Sequence, residues 1–356
     1  MIFKKFNWKP IELNFVNPIK TSGAILKQRK IYLVEITDIN NNKFYGECAP
    51  LPHFGSESFY ELEIALNNCR KLIIDKKLTE ITSSFDEYLN QFNTTPTLRA
   101  AVEQSILSSL KFYDEQSLWK IIPRTESCSI KVNALVDIRS PFNTAETSLI
   151  FKEAGFGTIK FKIGRDNFSD DLEALNKTRK VIGKEANFRI DVNGKWSLNE
   201  AEEKLKYLEI INLEYAEQPT ADTDDLIKLA RNSKIPIAAD ESIRMITDAE
   251  KIINSDISCL VIKPALIGGI LNTLKIIKMA ESAGKSIVIS SSFESALSRY
   301  NMLYLASVLS KKRAHGITLS NVFEDDLFND QLNIINGTLA FRNSLFLKNI
   351  DLSHIF

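Results

Sequence analysis

Histidine and cysteine, the residues most often used in zinc sites and histidine-led catalysis, are scarce in this sequence. Its 356 residues include three widely separated histidines and four cysteines with no C-x-x-C pair. A chain of this length needs no disulfide bonds to stabilise a core, so we expect the cysteines to be reduced. A zinc site and a histidine triad are both disfavoured. Any chemistry must then be carried by carboxylates and lysines.

An excess of charge of one sign is also missing, as is any long apolar run. Forty-five basic residues balance forty-five acidic ones, which argues against nucleic acid as a partner. No apolar run approaches the roughly 18 residues that span a bilayer, and the segment MIFKKFNWKPIELNF lacks the apolar core of a signal peptide. We therefore expect a cytoplasmic protein that does not contact membranes, with a mean hydropathy of -0.11 typical of globular chains. The sequence makes no prediction of oligomeric state.

The order of predicted elements divides the chain into two parts. Residues 1–125 begin with strand-like alternation in KIYLVEITD and continue with helical periodicity at Phe59–Ile74 and Leu98–Phe112, an α+β pattern. We predict that these residues form a capping domain. Within it, Arg99 and Glu103 lie one helical turn apart and are expected to form a surface ion pair.

Residues 126–321 alternate short apolar runs with amphipathic helical stretches. The runs are SIKVNALV, TIKFKIG, FRIDVNG, LEYAEQP, IPIAADES, CLVIKP, SIVISSS and GITLS. Eight strands that alternate with helices favour a closed parallel α/β barrel, although an open doubly wound sheet remains an alternative.

Charged residues recur at the carboxyl ends of the predicted strands, where barrel enzymes place their catalytic groups. Counted from the second lysine of the second run, they recur at intervals of 29, 26, 23 and 23 residues, one βα unit per step. They are Lys160, Lys162, Asp191, Glu217, Asp240 and Lys263.

Three consecutive strands end in Asp191, Glu217 and Asp240, and barrel closure would bring these carboxylates to one mouth. A divalent cation would relieve their mutual repulsion. Oxygen ligands without histidine or cysteine favour Mg²⁺, with Mn²⁺ as a substitute. The alternative is that each acid is a separate helix cap or a solvated loop residue. Three acids at a regular period favour the metal.

Two lysines, Lys160 and Lys162, flank Phe161, and strand geometry points both to the same side. A neighbouring positive charge would lower the pKa of one of them until it acts as a base. An exposed pair of lysines is an equally common alternative. Lys263, on a strand near the opposite side, favours chemistry on a carbanion.

These motifs together resemble the muconate-lactonizing subgroup of the enolase superfamily. The resemblance rests on KFKIG, RIDVNGKW, YAEQP, AADES and IKPALIGG, in that order along the chain. It implies a (β/α)7β barrel with a capping domain that residues of about 322–356 complete, and magnesium bound by the three acids. It also implies that Lys162 is the general base and acid, that Lys160 tunes it, and that Lys263 faces the other side of the substrate.

Two further segments, GECAPLPHFGSES and ISSSFES, resemble o-succinylbenzoate synthases, the dehydratases of menaquinone synthesis. Dipeptide epimerases of the subgroup carry an Asp-x-Asp at the eighth strand end, whereas GITLSN has none. We therefore predict a lyase that dehydrates 2-succinyl-6-hydroxy-2,4-cyclohexadiene-1-carboxylate, with an N-succinylamino acid racemase or a dipeptide epimerase as alternatives. The residues expected to contact the substrate or support the metal site are Asn193, Glu241, Ser290, Ser291 and Ser292.

A non-catalytic protein that binds a metal and a small acid is a second alternative, because a fold alone does not establish catalysis. The lysines argue against it. A purely structural metal site gains nothing from burying Lys162 and Lys263 beside the metal.

Overall fold

The amino-terminal part of the chain is an antiparallel sheet packed against helices. The computed structural model describes residues 1–20, 25–138, 140–165, 167–348 and 350–356, except the side chains of Lys20, Ser320 and Leu345. The sheet has the order β1-β2-β3. Its strands are β1 (Phe3–Lys20), β2 (Ile25–Asp38) and β3 (Lys43–Cys48). The helices are α1 (Phe59–Ile73), α2 (Leu78–Ser83), α3 (Phe85–Asn90), α4 (Pro96–Tyr113) and α5 (Glu115–Ile121). We call these elements the cap.

Local sequence signals determine where the cap elements begin and how closely they pack. Helix α1 begins after Ser58, whose side chain accepts a hydrogen bond from the backbone N–H of Glu61 in a capping box. Helix α4 packs tightly on β3 because Gly46 has no side chain. A Cβ at Gly46 would lie 1.9 Å from the carbonyl oxygen of Ala101.

The second part of the chain is a parallel barrel. Seven strands pair in sequence order, and helices connect them. The strands are β5 (Ala134–Asp137), β6 (Thr158–Lys162), β7 (Asn187–Asp191), β8 (Leu213–Glu217), β9 (Ile237–Ala239), β10 (Cys259–Ile262) and β11 (Ser286–Ile289). The helices are α6 (Pro141–Glu153), α7 (Phe168–Ile182), α8 (Leu198–Leu208), α9 (Thr223–Asn232), α10 (Ile246–Ile253), α11 (Ile270–Ser282) and α12 (Ala296–Val308).

A short eighth segment closes the ring between the two edges of this sheet. Gly316 forms a parallel bridge with Ser290, and His315 forms one with Val132. The fold is therefore a TIM-like α/β barrel with a cap, as predicted, and the open sheet is excluded. The run GITLS does not form a full strand. Its first residue, Gly316, forms the bridge to Ser290, and the segment makes only a few backbone hydrogen bonds on each side.

The run SIKVNALV, predicted as one strand, is two. Its first half is β4 (Cys128–Lys131), which pairs antiparallel with β12 (Thr338–Phe341), and only its second half, β5, enters the barrel. The partner strand lies some 200 residues later in sequence, so no local pattern marks the division.

The carboxy-terminal residues return to the cap. Phe323 bridges Phe15 of β1, and the ring of Phe356 stacks on Tyr45 of β3. The exact domain boundaries near residues 125 and 321 stay a prediction. Within the described residues, no helix is both long and apolar enough to cross a bilayer.

Arg99 and Glu103 form the predicted ion pair, with Nη1 3.7 Å from Oε1, but its predicted place at the surface is wrong, because both side chains are buried at 1% exposure or less. Arg99 donates to the carbonyl of Gly268, and Glu103 accepts hydrogen bonds from the backbone N–H groups of Ile270 and Leu271. The pair thus attaches cap helix α4 to the loop that follows β10 and to the first turn of α11. Helical spacing alone gave the pairing but not the surface on which α4 packs.

Candidate active site

The predicted charged residues meet at the carboxyl ends of the barrel strands. In the register of the sheet, Lys162 of β6 lies beside Asp191 of β7, and Asp191 lies beside Glu217 of β8. Asp240 and Lys263 follow directly after β9 and β10. The regular spacing in sequence therefore corresponds to a row of neighbouring side chains at one mouth.

Two lysines form ion pairs with the three carboxylates. The Lys160 ammonium lies 2.9 Å from Oδ2 of Asp191 and 2.6 Å from Oε1 of Glu217. Lys263 pairs with Asp240. These side chains are largely buried, so the pairs sit where charge interacts more strongly than in water. We call Lys160, Asp191, Glu217, Asp240 and Lys263 the mouth network.

Burial and pairing shift the pKa values of the mouth network in opposite directions. Burial raises the pKa of Glu217 to about 8, against the attraction of Lys160. Burial also acts to raise the pKa of Asp191, but the Lys160 charge and hydrogen bond lower it overall. Burial acts to lower the pKa of Lys160 and Lys263, yet the facing carboxylates raise both. The lysine whose pKa is expected to fall is therefore not Lys160, because two carboxylates contact it directly.

Gln218 is a site residue that sequence reasoning missed. Its side-chain oxygen accepts hydrogen bonds from the backbone N–H of Asp240 at 2.9 Å and of Ser242 at 3.3 Å. Its side-chain nitrogen donates to Thr220 and Ser242. With a φ of 40°, it turns the chain just after Glu217. Gln218 thus fixes the end of β8 against the end of β9, and its position beside an acid in YAEQP was the available signal.

Asn193 and Glu241, predicted to support the site, contact each other. The Asn193 side chain donates to Oε1 of Glu241 at 3.0 Å, and its backbone N–H donates to Oδ1 of Asp191 at 3.2 Å. Its φ of 51° shows that it also forms the turn before Gly194. Burial raises the pKa of Glu241 to about 7, and Asp240 adds to the effect. Asn193 therefore connects the acid of β7 with the loop after β9.

The donor set at the mouth fits a hard divalent cation. Oε2 of Glu217 is buried and has no hydrogen-bond partner among the described residues, and the same holds for Oε2 of Glu241. Within the described residues, no three acidic, histidine or cysteine side chains are already grouped around a metal position. Here the ammonium groups of Lys160 and Lys263 balance the carboxylates. An unpartnered buried carboxylate oxygen among other oxygen donors is the environment that Mg²⁺ prefers.

An open cavity of about 160 Å³ lies over the mouth network. Its floor includes all three predicted lysines together with Asp191 and Asp240. Leu51 and Phe54 of the cap form part of its wall, and the ring of Phe54 lies 5.0 Å from the Lys263 ammonium. The cap thus completes a cleft in which apolar side chains surround converging charged groups, a composition typical of a small-molecule site.

The three serines after β11 also line this cavity. The Ser291 hydroxyl lies 2.6 Å from that of Thr318, so the seventh and eighth strand ends are joined there. Ser292 differs, since its hydroxyl donates to Glu294. Ser290 and Ser291 are therefore better placed than Ser292 to meet a ligand, and a role for any of them stays a prediction.

The sequence matches a family of known proteins over more than half of its length. Residues 144–344 match the family described as enolase C-terminal domain-like. The chain belongs to this family. The match covers the barrel strands that carry the mouth network.

Similar proteins in the family have different activities. The chain is 31% identical to the o-succinylbenzoate synthase of Thermobifida fusca over 218 residues, 60% of this chain and 67% of that protein. It is 23% identical to the L-Ala-D/L-Glu epimerase of Bacillus subtilis over 336 residues, 93% of this chain and 92% of that one. It is also 27% identical to Protein PHYLLO, chloroplastic, of Arabidopsis thaliana over 317 residues. That match covers 82% of this chain but only 18% of PHYLLO.

Solved structures share the fold over nearly the whole chain. A substrate-liganded complex of the Bacillus subtilis L-Ala-D/L-Glu epimerase has a TM-score of 0.83 at 22% identity and covers 96% of each chain. The Cytophaga hutchinsonii dipeptide epimerase, complexed with Mg and D-Ala-L-Val, has a TM-score of 0.83 at 24% identity, covering 95% of this chain and 93% of that one. The Bacillus cereus N-succinyl Arg/Lys racemase has a TM-score of 0.80 at 22% identity, covering 92% of this chain and 90% of that one.

Proposed function

We propose that the protein removes the proton next to a substrate carboxylate, with Lys162 as the base. The observation that carries this proposal is the placement of Lys162 and Lys263 on β6 and after β10, four strands apart around the ring, with both lining one cavity. Between them lie carboxylates suited to a divalent cation. A positioned base next to fixed positive charge is what formation of an enediolate requires.

Asp191, Glu217 and Asp240 would hold Mg²⁺, the metal with which relatives of this fold were crystallised. When bound, the ion would supply positive charge at the substrate carboxylate, which acidifies the neighbouring proton. Lys160 contacts two of these carboxylates and would hold them in place. Asn193 and Gln218 would fix the loops that carry the acids.

The physiological reaction in this proposal is the dehydration of 2-succinyl-6-hydroxy-2,4-cyclohexadiene-1-carboxylate to o-succinylbenzoate. Lys162 takes the α proton, the Lys263 ammonium stabilises the charge that develops, and Lys162 then returns the proton to the departing β hydroxyl as water leaves. Aromatisation of the ring adds driving force. A relative at 31% identity, the Thermobifida fusca synthase, supports this reading.

The cavity wall supports dehydration over dipeptide epimerisation. Among its described residues, the carboxylates are Asp191 and Asp240, and a lysine pairs with each. A dipeptide brings an ammonium group that would find no spare carboxylate, and burying such a charge unpaired is costly. Asn133, Ser290, Ser291 and Thr318 instead offer neutral polar groups for a succinyl arm.

Epimerisation or racemisation is the second candidate, and the comparisons taken alone favour it. Relatives named as epimerases cover more of this chain than the synthase does. Lysines on opposite sides of the substrate are also what inversion requires, because one removes the proton and the other returns it to the opposite face.

The deciding experiment is a side-by-side assay in deuterated water. The purified enzyme with Mg²⁺ is given the cyclohexadiene carboxylate, an N-succinylamino acid and a dipeptide, and dehydration, inversion and α-deuterium incorporation are followed together. We expect the highest kcat/KM for dehydration. A higher kcat/KM for inversion of either amino acid derivative would replace the synthase proposal with the second candidate, and the absence of dehydration, inversion and α-exchange with every substrate would overturn both.

A further inference from the structure

Arg29 of β2 is a buried cation with an unusual set of partners. It is 2% exposed, and its guanidinium donates to backbone carbonyls rather than to a facing carboxylate. Nη2 donates to Ala49 at 2.5 Å, Nη1 donates to Pro50 at 2.5 Å, and Nε donates to Ser292 at 3.2 Å. Burying a charge is costly unless its hydrogen bonds are satisfied. The planar guanidinium satisfies carbonyls on two different loops at once.

Both loops form the cavity wall. Ala49 and Pro50 follow β3 and lead into Leu51 and Phe54, which line the cavity from the cap side. Ser292 follows β11 and lines the cavity from the barrel side. These carbonyls lie beyond the ends of their strands, so Arg29 replaces the pairing that a sheet would otherwise provide.

Arg29 is connected to the Lys263 ammonium, a proposed catalytic group, through a short series of contacts. Arg29 holds Pro50, the segment after Pro50 carries Phe54, and the Phe54 ring lies 5.0 Å from the Lys263 ammonium. The buried carboxylates Glu47 and Glu294 strengthen the same junction. Glu47 accepts hydrogen bonds from Ser295, and Glu294 accepts them from Ser292.

We infer that Arg29 is a positioning residue that fixes the cap loop 49–54 against the end of the seventh strand and so sets Phe54 over Lys263. The inference rests on the proposed function for its kinetic consequence, but its structural consequence is independent of the substrate. Lysine at this position keeps the charge and loses the planar fork that reaches both loops.

The test uses Arg29→Lys, with Arg179→Lys as a matched control. Arg179 also donates to backbone carbonyls, those of Gly183, Ala186, Ile211 and Asn212, near the amino ends of β7 and β8 and outside the cavity wall. Arg29→Lys should raise KM by about 10- to 100-fold with a smaller change in kcat, because misplacement of a contact by about 1 Å has effects of that size. Hydrogen exchange of the backbone amides of Leu51, His53, Phe54 and Gly55 should accelerate. Arg179→Lys should change neither.

A double-mutant cycle with Phe54→Ala separates positioning from general stability. If Arg29 acts through the cap loop, Arg29→Lys should add little to the KM defect of Phe54→Ala. Unchanged KM and loop exchange in Arg29→Lys, or full additivity with Phe54→Ala, would overturn the inference. A wild-type protein inactive on every acid would overturn the proposed function instead, and loop exchange alone would then decide the role of Arg29.

Discussion

The same barrel strands carry two ionic networks of different kinds. The mouth network lies at the carboxyl ends and faces the cavity. Nearer the amino ends, Arg189 donates to Glu214 at 2.7 Å, and Arg313 pairs with the same carboxylate. We call Arg189, Glu214 and Arg313 the base network. Arg189 also donates to the carbonyl of Ala314 and lies over the ring of Tyr215.

The choice of cation distinguishes these networks. The base network uses arginine, which does not lose its proton in proteins and is held by fixed, directional hydrogen bonds. The mouth network uses lysine, a flexible ammonium whose proton can be exchanged, next to Glu217, whose Oε2 has no hydrogen-bond partner among the described residues. One strand, β7, thus bears a structural charge at Arg189 and a reactive one at Asp191. Substitutions at the two ends should therefore have different consequences.

The largest expected effect is the loss of activity in Lys162→Ala. A positioned base contributes about 10² to 10⁴ in rate, so dehydration and α-deuterium exchange should both fall by at least that much. Folding should be retained. If charges at the mouth serve the reaction rather than the fold, the midpoint of thermal unfolding of Lys162→Ala should equal that of the wild type, and it is measured together with the kinetics.

Two variants make this prediction specific. Lys263→Ala should lose about 10² to 10³ in rate, the effect of removing one charge-stabilising donor. Lys152→Ala is the control, because Lys152 is half-buried, donates to the carbonyl of Ile182 and lies outside the cavity wall. If Lys162→Ala kept wild-type exchange, the assignment of the base would be wrong, and an equal loss in Lys152→Ala would mean that the defect is not specific to the cavity.

At the base network, the expected effect is on stability rather than on rate. Glu214→Gln leaves the charge of Arg189 buried without its carboxylate, which costs about 3 kcal/mol or more of unfolding free energy. Glu209→Gln is the matched control, since Glu209 pairs with Lys234 at the surface and such pairs contribute about 1 kcal/mol or less. Urea unfolding measures both. Two outcomes would contradict the distinction between the base network and the mouth network. One is a Glu214→Gln protein as stable as Glu209→Gln, and the other is a Glu214→Gln protein that is folded but inactive.

The sequence predicted the mouth network because each βα unit places one strand end at the same mouth, so a period of 23 to 29 residues corresponds to adjacent side chains. It did not predict Gln218, whose partners Asp240 and Ser242 are more than twenty residues away and become neighbours only when β8 and β9 pair. The burial of Arg99 and Glu103 depends on how the cap packs on the barrel. Periodicity within one helix carries no information about that contact.

A smaller effect separates two adjacent acids at the mouth. Asp240→Asn should weaken Mg²⁺ binding more than Glu241→Gln, because Asp240 faces the cavity whereas Glu241 contacts Asn193. For Glu241→Gln we expect a loss of roughly 10-fold in affinity, at the low end for a residue that orients a ligand. Isothermal titration with Mg²⁺ measures both values. Equal losses would mean that the assignment of the two acids is wrong.

A last expected effect is a pH dependence of stability at His315, on the segment that closes the barrel. Nδ1 of His315 accepts a hydrogen bond from the backbone N–H of Ile289 at 3.0 Å, so the buried ring must be neutral there. Burial, with the nearby charge of Arg189, lowers its pKa to about 3 from 6.5. The unfolded chain therefore binds a proton more readily than the folded one. This contribution to stability is complete above pH 6.5 and is lost as the pH falls towards 3, at about 1.4 kcal/mol per pH unit.

His315→Asn isolates this contribution, because asparagine can still accept the hydrogen bond but does not titrate. We expect the difference in unfolding free energy between wild type and His315→Asn to shrink by about 2 kcal/mol between pH 6.5 and pH 5. Urea unfolding at pH 7, 6 and 5 gives this difference directly, and carboxylates common to both proteins cancel in it. Activity at pH 7 should be little changed, since His315 lies outside the cavity wall. If the stability of the two proteins fell in parallel with pH, the His315 ring would not be held neutral. The segment that closes the barrel would then tolerate a buried positive charge without the carboxylate partner that other buried cations of the barrel have.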